Sequence, residues 1–323
     1  MRSNRPCPLK YKALLAVQVA GLLCALSMSV QAAPQSTPPA ASPQMSFETP
    51  QLAAEALIKA AADFDVPALL NILGPDAKDL VATADEVADK NAAVETAAKA
   101  REKLTMVIDP KNPRLAIMSI GVDEWPLPVP LVQKKGKWHF DTIAGREEVL
   151  VRRIGGNELD AITVCRGFVE AQNEYAETVH DNSGHHQYAQ KIISTPGKQD
   201  GLAWRNADGS WDGPIGEAAA NALEEGYVDK TKPFHGYYFK VLKGQGPDAF
   251  LGKLDYVING AMIGGFALVA VPAEYRVTGV KTFMVSYDGV VYQKDLGPNS
   301  LNIVKAMELY NPDKTWQETD DEE

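Results

Sequence analysis

The chain has 323 residues with 45% hydrophobic content, enough for two ordinary globular domains. Its 32 Lys and Arg against 42 Asp and Glu give a formal charge of −10, and a field of that sign repels phosphate, which excludes nucleic acid and anionic lipid as natural partners. Three cysteines, Cys7, Cys24 and Cys165, are too few for a disulfide framework.

Residues 1–32 read as a secretory signal peptide. Arg2, Arg5, Lys10 and Lys12 form a positive n-region and residues 13–30 an apolar core. Val30-Gln31-Ala32 then offers small residues to a signal peptidase, with Ala33 as the mature start. A retained anchor is the alternative, but roughly 18 apolar residues are short for a bilayer span of roughly 20. A lipoprotein would use Cys24, yet Leu22 and Leu23 stand where a small residue is preferred. Cleavage removes four basic and no acidic residues, so the charge goes from −10 to −14 and the protein becomes periplasmic or secreted. Cys165 then has no intramolecular partner even in an oxidising compartment.

Residues 33–45, rich in Pro, Ala, Ser and Thr, read as a flexible linker. Thr49-Pro50 starts a helix that reaches Asp63, with Leu52, Ala53, Ala56, Leu57 and Ala60 on its apolar face. Asp65-Val66-Pro67 opens a second, short helix that Gly74-Pro75 ends. Residues 84–102 are strongly helical by propensity, and Thr83 to Glu86 has the spacing of a capping box. The period then changes to strands at 104–108 and 115–120, followed by 127–133 and 138–140 around a Lys134–Lys137 hairpin. The Pro-rich run 125–130 belongs on a sheet edge, because proline cannot donate to a central ladder.

The second half begins after Gly155-Gly156. Asn157 caps a long helix to about Val179, in which Leu159, Ile162, Cys165, Phe168, Val169, Gln172, Tyr175 and Ala176 form an apolar stripe. This makes Cys165 a small buried hydrophobe. A loop-rich stretch leads to a helix over 218–225. Strands follow at 237–242, 254–258, 266–271, 281–286 and 290–293, and a short helix at 299–309. Tyr287-Asp288-Gly289 reads as a type I′ hairpin turn. The fold class is therefore α+β: helices on a curved, cone-like antiparallel sheet over 46–155, then a long helix with an antiparallel sheet over 156–316, and an acidic tail over 317–323.

Helices followed by a curved meander resemble the fold of nuclear transport factor 2. Gly236-Tyr237-Tyr238-Phe239, the run Phe266 to Pro272, Thr278 to Phe283 and Asp288-Gly289-Val290-Val291 resemble the globular half of type IV pilins and pseudopilins. No prepilin cleavage motif precedes the long helix, and Glu158, Arg166, Glu170, Gln172 and Glu174 make it too polar for a membrane stalk. At whole-chain scale the runs 125–132 (WPLPVPLV), 194–204 (STPGKQDGLAW), 234–242 (FHGYYFKVL) and 262–297 resemble a bacterial family of exported proteins known only as a domain of unknown function, over about residues 46–316. That family has Gly after the Pro-Ala-Glu-Tyr run, where this chain has Arg276. The resemblance implies export and a two-part architecture and brings no activity.

Chemical motifs are scarce. There is no GxSxG, HExxH, phosphate loop or dinucleotide fingerprint. His180, Asp181, His185 and His186 are the densest group of ligand-type residues, in what reads as a solvated loop. Asn206, Asp208, Ser210, Asp212 and Glu217 imitate a calcium loop, although Trp211 stands where that loop requires Gly. Trp125, Trp138, Trp204, Trp211 and Trp316 are candidates for lining a groove, and Gly244, Gly246, Gly260, Gly264 and Gly265 for turns with close backbone approach. Asp123, Glu124, His139 and Asp141 are the polar candidates for a pocket in the first half. The sequence assigns no catalytic, cofactor-binding or metal residue. It points to a non-enzymatic binding or assembly module of the envelope acting on a small molecule or an envelope protein, with a periplasmic hydrolase or isomerase as the alternative.

Overall fold

A computed structural model describes residues 44–225, 227 and 231–319. The signal segment, its cleavage point, the linker up to residue 43 and the last four acidic residues lie outside the described residues.

Helix α1 (Pro50–Ala62) starts where Thr49 accepts from the Leu52 N–H, and α2 (Val66–Leu73) where Asp65 accepts from Ala68. Both have proline in the first turn, where no backbone N–H is missed. The buried face of α1 is Ala53, Ala54, Ala60 and Ala61, while Leu52 is 46% exposed, so the helix is rotated from the expected face. A short α3 (Lys78–Val81) precedes α4 (Glu86–Glu102). The cap of α4 is Asp85, not Thr83: Asp85 accepts from Ala88, and Thr83 instead hydrogen-bonds Asp89 and the Asp85 N–H.

Strands β1 (Leu104–Asp109), β2 (Asn112–Ile120), β3 (Trp125–Pro126), β4 (Leu131–Lys134) and β5 (Lys137–Phe140) form an antiparallel sheet in the order β1-β2-β4-β5, with β3 also on β2. The Pro-rich run thus sits off the main ladder, as a missing donor requires. Alternation buries Met118, Ile120, Leu131, Trp138 and Phe140 against the alanine faces of α1 and α4.

Helix α5 (Thr142–Ala176) departs most from expectation. It is 35 residues long, is capped by Asp141 and runs straight through Gly155-Gly156. Asn157 is therefore no cap. The helix survives its glycines because tertiary contacts hold both sides of them: Arg153 donates to the Asp79 and Leu80 carbonyls (2.6 and 2.7 Å) and Asn157 to Thr278 (2.8 Å). Its first turns lie on the first half, where Gly145 passes so close to Val129 that a Cβ would meet that residue's Cα at 2.6 Å. Its later turns, with Ala161, Cys165, Phe168, Ala171 and Tyr175, enter a second core. Cys165 is fully buried, and burial pushes its thiol up to about 12.

A small hairpin of β6 (Trp204–Arg205) and β7 (Trp211–Asp212) leads to α6 (Gly216–Glu224). Then come β8 (Tyr237–Leu242), β9 (Gly244–Gln245), β10 (Leu254–Asp255), β11 (Val257–Ile258), β12 (Ala261–Met262), β13 (Ala267–Pro272), β14 (Thr282–Ser286), β15 (Val291–Lys294), α7 (Ser300–Ala306) and β16 (Gln317–Glu318). The expected strand 254–258 is split at Tyr256, which turns inward, is fully buried and donates to Gln245 Oε1 at 2.8 Å. The main sheet is antiparallel in the order β16-β15-β14-β13-β8. The acidic end is not wholly free: Gln317 and Glu318 pair with Gln293 and Tyr292.

The β14–β15 turn lies at the expected place with another geometry. The Gly289 N–H bonds the Ser286 carbonyl, and only Gly289 (φ +78°) has positive φ, so Tyr287 and Asp288 do not form a type I′ turn. Arg276 also has positive φ (+62°), which is why glycine suits that position.

The two cores meet in a polar seam. Asp85, 2% exposed, accepts from the Gly236 N–H at 2.7 Å across 151 positions of sequence. Beside this seam, within the second half, Glu158 on α5 accepts from the Val280 and Lys281 N–H groups at 2.8 and 2.9 Å.

Candidate binding site at the open edge of the C-terminal sheet

The residues singled out by sequence do not converge. His180 is buried rather than solvated: it stacks on Tyr175 at 3.9 Å and hydrogen-bonds Thr178, the Tyr175 carbonyl and Gln199 at 2.8, 2.9 and 3.3 Å. Asp181 accepts from the Gln199 N–H, while His185 and His186 are exposed. Among the described residues, no group of three or more His, Cys, Asp or Glu is arranged to hold a metal ion. In the calcium-like stretch, Asp208 accepts from the Ser210 N–H and hydroxyl (2.9 and 2.6 Å) inside the β6–β7 turn, which lowers its pKa, and Glu217 lies in the first turn of α6.

In the first half, Asp123 is exposed, Glu124 pairs with Lys103 at 2.8 Å and Asp141 caps α5. His139 faces away from buried Trp138 and Phe140, and its pKa is lowered by partial burial and Lys134, against the pull of Asp141. The tryptophans are scattered: Trp138, Trp204 and Trp316 are core residues, and Trp125 and Trp211 lie under Arg152 and Arg205.

Two polar clusters were not foreseen. Asp200 binds Lys191 at 2.8 Å and takes the Thr195 N–H at 2.7 Å; burial opposes its ionisation, but these hydrogen bonds prevail and bring it down to about 2. At the seam, His235 (φ +48°) bonds Asp160 at 2.6 Å with Nδ1, and its Nε2 lies 3.6 Å from Glu225. Held between these two carboxylates, His235 ties the loop before β8 to α5.

The open edge of β8 offers a different chemistry. On one side β8 bonds β13 throughout. Parity decides what faces the other side. The Tyr237 N–H and carbonyl exchange hydrogen bonds with Phe234 on the outer side, and the Lys243 carbonyl accepts from Tyr256 there. Alternation then turns the N–H and C=O of Phe239 and Val241 outward as well. These four groups have no partner among the described residues. Both side chains are half-buried, so the slot is walled yet reachable.

Beside the slot lies a cleft of about 330 Å³, lined by Tyr238, Lys240, Val271, Leu301, Val304 and Lys305 among others. Its floor is the α7-side face of β8 and β13, and its wall is α7. Lys240 reaches across to the C-terminal end of α7, donating to the Lys305 and Met307 carbonyls at 3.0 and 2.6 Å, where a cation suits the helix dipole. Lys305 is exposed and makes no ion pair among the described residues. The only cue in the sequence was the run Tyr-Tyr-Phe-Lys-Val-Leu; that it forms the end of a sheet was not legible there.

No curated protein and no solved structure matches the chain. No helix among the described residues is long and apolar enough to cross a membrane. A family described as Protein of unknown function (DUF2950) matches residues 44–319, almost the span the sequence resemblance implied, and the chain belongs to that family.

Proposed function

We propose that this protein is an exported, non-enzymatic binding module of the bacterial envelope that captures an extended polypeptide by strand addition to β8. The observation that carries this reading is that four backbone groups at Phe239 and Val241 have no partner among the described residues, between satisfied neighbours and beside a cleft. An added strand gains main-chain hydrogen bonds at such an edge and selectivity from the adjoining cleft. Export rests on residues 1–32. The pilin-like and transport-factor-like resemblances support a scaffold role, since both are folds on which binding surfaces are built. The enzymatic alternative has less support, because Asp141 and Glu124 are engaged elsewhere.

Hydrogen exchange tests the reading. The Phe239 and Val241 amides should exchange far faster than those of Tyr238 and Lys240, which bond β13. A pool of pentapeptides Thr-Val-Xaa-Val-Thr, with Xaa randomised, should protect the two exposed amides. Exchange unchanged by the pool would refute strand capture. N-terminal sequencing of periplasmic protein should begin at Ala33, and a retained leader would refute export by cleavage.

A further inference from the structure

We infer that the partner strand carries an acidic residue flanked by apolar ones, and that it sets the acidic side chain opposite Lys240; this rests on the strand-capture reading above. The register follows from the slot. A partner pairing antiparallel with β8 bonds Phe239 and Val241 through two of its residues, and the residue between them falls opposite Lys240 in a pair without hydrogen bonds, where side chains stand closest. Lys240 points to the α7 face, as its bonds to the end of α7 show. The partner's central side chain therefore enters the cleft that Lys240 and Lys305 line, while its neighbours lie over the opposite face beside Phe239 and Val241.

Charge selects the central residue. Lys305 has no ion pair among the described residues, and Lys240 has only Glu308, at 3.3 Å, whose side chain is 77% exposed. Two lysines lining one cleft beside an apolar wall favour a carboxylate. The flanking positions meet Phe239 and half-buried Val241 and favour β-branched residues.

A second copy of this chain is the obvious competitor, and the same geometry opposes it. Self-pairing that satisfies all four outward groups puts Phe239 opposite Val241 of the other copy in both directions. That register sets Lys240 directly against Lys240, a like-charge pair at the closest spacing, which is how natural edge strands discourage self-association.

The test uses labelled Thr-Val-Glu-Val-Thr, with its Gln and Lys counterparts, and fluorescence anisotropy on the full chain. We expect the Glu peptide to bind about fivefold more tightly than the Gln peptide, and the Lys peptide more weakly still. Added salt should narrow the difference. Lys305→Glu should remove the preference for Glu over Gln. Val241→Pro should abolish binding of all three, since it removes an outward N–H and no bond to β13. Val107→Asp, on the separate strand β1, should leave binding unchanged. If Glu and Gln peptides bind equally and Val241→Pro still abolishes both, the acidic assignment is overturned while strand capture stands. If no peptide binds, or Val241→Pro has no effect, both fall. A dimer in sedimentation that Val241→Pro dissolves would replace the acidic partner with a second copy.

Discussion

Gln172 is a polar residue in an apolar helical stripe, and it is 0% exposed. Its Nε2 donates to the Ala189 carbonyl and its Oε1 accepts from the Ala189 N–H, both at 2.8 Å. One side chain thus acts as a strand would, tying the irregular segment after α5 back onto that helix. Gln172→Leu keeps the volume and removes both bonds. Ala189 is 1% exposed, so its two backbone groups would be left without water or partner. Each such group costs about 1–3 kcal/mol, and two cost about 2–6 kcal/mol. The better burial of leucine offsets about 1–2 kcal/mol. Taking the middle of each range, the expected net loss is about 2.5 kcal/mol. Urea unfolding followed by far-UV circular dichroism should show a lower midpoint at unchanged slope, and the Ala189 amide should exchange faster. A loss below about 0.5 kcal/mol would refute the reasoning, since it would mean that Ala189 finds other partners at no cost.

Gly155 and Gly156 lie inside α5 with nothing within 4 Å of where a Cβ would stand, so alanine at each should add about 1 kcal/mol and together raise Tm by roughly 4–8 °C. A lower Tm would show that the helix needs the glycines in order to flex there. Gly289 has φ +78° with open space around it, so Gly289→Val should cost about 1–2 kcal/mol through backbone strain alone, while Gly289→Asn should cost much less. Equal losses in urea for the two would place the cost elsewhere. Asp200 is held near 2, below its ordinary 3.8, so it stabilises the fold above about pH 4 and loses that contribution as pH falls from about 4 to 2. The Tm difference between the wild type and Asp200→Asn should therefore shrink across that window, and a pH-independent difference would contradict the assignment.

Local chemistry was legible in the sequence wherever a residue acts on its own backbone. Thr49, Asp65, the β4–β5 hairpin, the strand 237–242 and the glycine at 289 were placed correctly, because caps, proline and periodicity act within a few residues. The buried thiol of Cys165 was legible for the same reason, from helical spacing alone. Where the sequence reading failed, a distant partner outweighed a local preference. Gly155-Gly156 reads as a break, yet Arg153 and Asn157 tie the helix to residues 79–80 and 278. His180 reads as a solvated residue, yet Tyr175 and Gln199 bury it in its loop. The segment 254–258 reads as one strand, yet Tyr256 leaves it to reach Gln245.

The binding edge depends most on tertiary structure. Alternation in residues 237–242 predicts a strand and the side on which each side chain lies. It cannot tell whether that strand has neighbours on both sides or on one, because hydrogen-bond pairing is settled by the order of strands in space. Only the assembled sheet, in the order β16-β15-β14-β13-β8, leaves the outward backbone groups of Phe239 and Val241 without a partner among the described residues and sets Lys240 and Lys305 beside them.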